Sequence, residues 1–109
     1  MQEKFDLTII IPTCNRPDLF KECLSSVLTQ NILPDHIIIV DQSDSDGISS
    51  LCNNYPFITY EHLNIKNKSI AVNHAIEECT SRYIAIVDDD CLLSRNWIEV
   101  SKITFNREI

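Results

Sequence analysis

The sequence predicts a doubly wound α/β fold, a mainly parallel sheet with helices on both faces, and three observations carry the prediction. The runs at residues 7–11 (LTIII), 37–40 (IIIV) and 83–87 (YIAIV) are β-branched and apolar at nearly every position, as strands buried on both faces must be. The stretches between them carry a 3.6-residue apolar period. Strand–helix alternation of this kind builds parallel sheets through right-handed crossovers. With 109 residues the chain makes one domain, 1–109.

Taken in order, the first strand (7–11) is followed by a helix over 17–29, with Leu19, Phe20, Cys23, Leu24, Val27 and Leu28 on one face. Pro17 suits the first helical position, and it pushes Arg16 out of helical geometry. The second strand (37–40) leads to a short helix over 48–54 and a weaker strand over 57–61. A third helix covers 69–79, with Ser69 as N-cap and Ile70, Asn73, Ile76 and Cys79 along its buried face. After the last strand (83–87), a helical pattern from Ser94 to the end of the chain carries Trp97, Ile98, Val100, Ile103 and Phe105.

Composition narrows the function. Charged residues at 23% and apolar residues at 44% are those of a folded globular domain, not a disordered chain. The longest apolar run is five residues, against the ~20 of a membrane-spanning helix. A net charge of −7 disfavours nucleic acid as a partner, and an anionic ligand then calls for a bridging cation. The five cysteines, with no C-x-x-C pair, read as reduced thiols of a cytoplasmic protein. Gly47 is the single glycine, so neither G-x-G-x-x-G nor G-x-x-x-x-G-K-[ST] exists to cradle phosphates.

In open parallel sheets ligands bind at the carboxyl ends of the strands, and here those ends are polar. They read Pro12-Thr13-Cys14-Asn15-Arg16, then residues 41–47 (DQSDSDG), then Asp88-Asp89-Asp90, which gathers six of the sixteen acids on one edge. Three adjacent carboxylates repel one another unless a cation compensates them, and hard oxygen ligands favour Mg²⁺ or Mn²⁺ over zinc. The competing reading makes them solvated acids before a helix N-terminus. An EF-hand frame on 42–53 lacks acids at its first and last positions, so the loop at 41–47 reads as a turn braced by Asp and Ser side chains.

The segments IIIPTCNRP, IIIVDQS, SIAVNHAI and RYIAIVDDD followed by NWIE, in this order and spacing, resemble family 2 glycosyltransferases of GT-A fold over nearly the whole chain. The resemblance implies a nucleotide-diphosphate-sugar site, most simply for a UDP-sugar, in an inverting enzyme. Pro12, Thr13 and Arg16 match the segment around the nucleotide, and Asp41 the acid that reads the base. Asp88, Asp89 and Asp90 match the D-x-D motif, with Asp90 and Asp88 on the metal and Asp88 and Asp89 facing ribose or sugar. Gln42 stands where a second Asp is frequent. Val72 stands where an Arg often precedes the matched Asn73, which leaves Lys66 or Lys68 to face the diphosphate.

His36, His62 and His74 show no metal spacing and read as structural. Cys14 and Cys91 have no base beside them in sequence and are not read as nucleophiles. The family's general base and acceptor residues are expected beyond Ile109, so the chain reads as the donor half, a fragment or truncated product expected to transfer no sugar alone. Its uncovered terminal helix predicts self-association or docking. The resemblance implies a cytoplasmic location, or a peripheral one at the inner face of the membrane. The alternative function is a nucleotide-sugar-binding or interaction module without turnover.

Overall fold

The structure, a computed structural model, describes residues 4–106 and the side chains of residues 4–104. Eight elements alternate: β1 (Lys4–Thr13), α1 (Pro17–Leu28), β2 (Leu33–Asp41), α2 (Gly47–Cys52), β3 (Ile58–His62), α3 (Lys68–Glu78), β4 (Tyr83–Ile86) and α4 (Trp97–Asn106). The four strands form one sheet in the order β3-β2-β1-β4, every pairing parallel. The expected doubly wound α/β sheet is therefore present, with β1 and β2 reaching several residues beyond their most apolar centres.

The two faces are unequal. On one, Leu7, Ile9, Ile11, Ile37 and Ile39 pack against Phe20, Cys23, Leu24 and Val27 of α1, Ile48 and Cys52 of α2 and Ile98 of α4. On the other, Ile10, Ile38 and Val40 meet Ala71 and Ala75 of α3, whose small side chains let this helix lie close to the sheet, with Leu63 and Cys79 partly buried beside them. Phe20 sits fully buried in the larger layer, so Phe20→Ala would cost about 3–5 kcal/mol.

Pro12 is tolerated in a central strand for a geometric reason. Val87 N donates to Ile10 O at 2.9 Å and Gln42 N to Thr13 O at 2.9 Å, so by alternation the Pro12 amide position faces the side where β4 has already ended. No ladder bond is lost. Pro17 opens α1, and Arg16 before it is out of helical geometry, at φ −133° and ψ 61°.

Three expectations are corrected. Asn67, not Ser69, caps α3: its backbone is extended and its side chain accepts the Ile70 amide at 3.1 Å, so Ser69 lies inside the helix. The buried face of α3 is Ala71 and Ala75, while Ile70 and Ile76 are exposed. The last strand is an edge, not a strand covered on both faces, and leaves Ile84 and Ile86 in solvent. The terminal helix is largely uncovered, as expected: among the described side chains of α4 only Ile98 is fully buried, with Trp97 packed beside it and Val100 and Ile103 exposed. The Phe105 side chain and residues 107–109 lie outside the described residues. Among the described helices none is long and apolar enough to cross a membrane.

Candidate functional site

The carboxyl ends of β1, β2 and β4 enclose a cleft of about 240 Å³ lined by Pro12, Thr13, Cys14, Arg16, Gln42, Lys68, Asp88, Asp89 and Asp90. Three loops and the start of α3 thus converge where a parallel sheet places ligands. Every expected site residue except Asp41 is on this wall.

The triplet divides into two roles as the chain turns after β4, with Cys91 N donating to Asp88 O at 3.0 Å. Asp89 turns inward and is 1% exposed. The Thr13 hydroxyl donates to its Oδ2 at 2.9 Å, Arg16 Nε donates to the same oxygen at 3.2 Å, and Arg16 Nη2 closes on Oδ1. Asp88 and Asp90 stay exposed, and a carboxylate oxygen of each lies within 4.8 Å of the other and of Cys91 Sγ. Lys68, the first residue of α3, forms an ion pair with Asp88. Lys66 instead pairs with Asp44, away from the cleft, so of the two lysines only Lys68 faces it.

Asp41 is fully buried, its Oδ1 accepting the Ser43 amide at 2.9 Å and its Oδ2 the Tyr60 hydroxyl at 2.6 Å. Its carboxylate braces the turn after β2, as expected of that loop. Gln42 is also buried, and its side-chain amide donates to Asn67 O at 2.9 Å, tying the end of β2 to the cap of α3.

Asn15 was not singled out from sequence, yet it joins two loops. It has a φ of 55°, the left-handed geometry that Asn tolerates. Its amide donates to Ser43 Oγ at 2.7 Å, and its side chain pairs with Asp44 through Nδ2 to Oδ2 at 3.0 Å and Oδ1 to the Asp44 amide at 2.9 Å. The signal available was its place in the turn PTCNRP.

None of the described cysteines is disulfide-bonded. Beneath the triplet, burial pushes the Cys23 thiol up to about 12, with Cys91 and the three aspartates adding to the shift. That thiol is not a nucleophile at neutral pH. Cys14 Sγ donates to Gln42 O at 3.3 Å, a packing contact.

Residues 8–101 match the glycosyl transferase family 2 profile. The chain belongs to this family. An uncharacterized glycosyltransferase of Escherichia coli K12, YibD, is 34% identical over 88 residues, covering 77% of this chain and 26% of the relative. Glycosyltransferase GlyA of Streptococcus pneumoniae is 24% identical over 97 residues, covering 85% of this chain and 14% of the relative. Among solved structures, the mannosyltransferase PcManGT of Pyrobaculum calidifontis, in complex with GDP-Man and Mn²⁺, superposes with a TM-score of 0.70 at 25% identity, over 83% of this chain and 29% of that one. Staphylococcus aureus TarS 1-349 superposes with a TM-score of 0.79 at 17% identity, over 94% of this chain and 32% of that one, a likeness of fold. This family 2 chain therefore has a GT-A glycosyltransferase fold, and it spans a third or less of these relatives.

Proposed function

We propose that this chain forms the donor-binding region of an inverting glycosyltransferase that takes a nucleotide-diphosphate sugar, a UDP-sugar, with Mg²⁺ or Mn²⁺. The observation that carries the reading is the split of the triplet. Asp89 is spent on Arg16 and Thr13, while Asp88 and Asp90 offer exposed oxygens at the mouth of the same cleft. Two carboxylates beside a phosphate-sized space fit a hard divalent ion.

Asp90 and Asp88 would hold that ion, which when bound would neutralise the diphosphate and stabilise charge on it as it leaves. The chain's own residues do the rest of the binding. Lys68 supplies a cation that can exchange Asp88 for a phosphate oxygen, and Pro12 and Thr13 wall the nucleotide side. Arg16, anchored by Asp89, presents its half-exposed guanidinium to the cleft. Asp41 and Gln42 hold the β2 loop and α3 in register, which fixes where Lys68 stands. The GDP-Man and Mn²⁺ held by PcManGT support a sugar nucleotide and a metal of this kind. Transfer to an acceptor hydroxyl, in the cytoplasm or at the inner face of a membrane, belongs to the whole protein.

The test is a thermal-shift panel of UDP, GDP and TDP with Mn²⁺ and with excess chelator. A ligand at 100 times its Kd stabilises by about 2.7 kcal/mol, which moves the transition by several degrees in a domain of this size. UDP with Mn²⁺ is expected to give the largest shift. A larger shift with GDP moves the base assignment, and equal shifts in chelator overturn the role of the triplet.

A further inference from the structure

On the sheet face covered by α3, away from the cleft, three metal-ligating side chains converge. Glu61 lies on edge strand β3, and His74 and Glu78 stand one turn apart on α3. One ligand atom of each lies within 4.8 Å of the other two. His74 Nε2 is 2.5 Å from Glu61 Oε2 and 3.2 Å from Glu78 Oε1, so one ring nitrogen faces two carboxylates. A second observation points the same way: Glu61 Oε1 is closed off from solvent and has no hydrogen-bond partner among the described residues. An N–H is a single donor, and carboxylates only accept. The cluster therefore holds more acceptors than its one proton can serve.

We propose that Glu61, His74 and Glu78 form a three-ligand zinc site that ties α3 to the edge strand β3. An imidazole with two carboxylates suits Zn²⁺, with water as a fourth ligand. Zinc at about 2.0–2.2 Å from each donor sets the donors roughly 3.3 Å apart. The His74–Glu78 separation of 3.2 Å already fits. The His74–Glu61 separation of 2.5 Å opens by less than about 1 Å once the proton between them is displaced. The ion takes Glu61 Oε2 in place of its bond to His74, and cancels the repulsion between two acids that face each other.

The tie has a reason in the fold. The buried part of the α3 layer is Ala71 and Ala75, the smallest of apolar contacts, with Leu63 and Cys79 only partly buried beside them, yet α3 and its cap carry Lys68 and the Asn67 carbonyl that holds Gln42. A metal clamp supplies the rigidity that the thin layer lacks.

Zinc alone is the probe, in the Asp90→Ala background so that the triplet does not compete. After chelator treatment and dialysis against Zn²⁺, elemental analysis is expected to find about one equivalent per chain, with a rise in thermal transition on loading. Adding His74→Ala is expected to remove both. Glu78→Gln, a change at an exposed residue that preserves shape, is expected to remove both as well, and it serves should His74→Ala fail to fold. Co²⁺ loaded in place of zinc is expected to give a visible absorption band that requires His74. Zinc content and thermal shift unchanged by Glu78→Gln and by His74→Ala would overturn the site, as would no retained zinc before either change. UDP binding in the unaltered chain bears on the triplet, so the two readings fail separately.

Discussion

Arg16 and Asp89 lock the loop after β1 to the loop after β4: the guanidinium spans both oxygens of a carboxylate that is 2% exposed, while its own side chain is 50% exposed. The pair lies at the floor of the cleft, so it fixes the triplet's register and leaves Asp88 and Asp90 exposed at its mouth, Asp88 facing Lys68. A planar bidentate fork is what Arg provides and Lys does not.

Arg16→Ala is expected to destabilise the chain, because it leaves a buried carboxylate with only the Thr13 hydroxyl. Breaking a fully buried pair costs about 3–5 kcal/mol, and the exposure of Arg16 reduces this to about 1–3 kcal/mol. Asp89→Asn, which keeps shape and the Thr13 contact, is expected to cost less than Arg16→Ala. Urea unfolding of both variants and their double mutant reads the coupling. Additive losses would mean that the pair contributes nothing of its own.

Gln30 is the buried polar residue that seats α4. It accepts the Ile98 amide at 3.0 Å and donates to Ser26 O at 3.1 Å and Ser94 O at 2.5 Å. Gln30→Leu leaves the buried Ile98 amide unpaired, and a cost of about 1–3 kcal/mol is expected. Trp97, the single tryptophan, lies at the start of α4 beside the core. Its emission is expected to shift to the red in the variant, and an unchanged spectrum with unchanged stability would refute the role.

Much of the fold was legible because it rests on strong signals: the runs IIIP, IIIV and YIAIV fall on three parallel strands, and Pro17 opens α1. What stayed hidden depends on choices between chemically equal residues. Asn67 and Ser69 are both good caps, and only the chain's path into α3 selects Asn67. Of the expected face, Cys79 packs against the sheet cluster, but Ile70 and Ile76 are exposed and Ala71 and Ala75 take the fully buried positions. Asp88, Asp89 and Asp90 are identical by type, so the burial of the middle one follows from how the turn after β4 meets Arg16 and Thr13, which sequence spacing does not reveal. Likewise Glu61 lies thirteen positions from His74 and joins it only through the packing of β3 on α3.

Tyr60 couples the β2 turn to pH. Burial, then its bond to Asp41, holds the phenol above its ordinary value. The unfolded chain ionises this group near pH 10, so its contribution is fully present below about pH 10 and is lost as pH rises through the higher folded-state value. Between pH 9 and pH 11 the native chain is therefore expected to lose more stability in urea than Tyr60→Phe does. Parallel losses in the two would remove Tyr60 from the account.

With Asp89 locked to Arg16, the exposed carboxylates of Asp88 and Asp90 are proposed to hold a divalent ion that binds the diphosphate. Calorimetric titration of UDP in the presence of Mn²⁺, comparing the native chain with Asp90→Ala, tests it most directly. The account predicts that Asp90→Ala abolishes the metal-dependent part of binding while its thermal transition stays equal or rises slightly, since repulsion within the triplet is relieved. Undiminished Mn²⁺-dependent UDP affinity in a folded Asp90→Ala chain would contradict it.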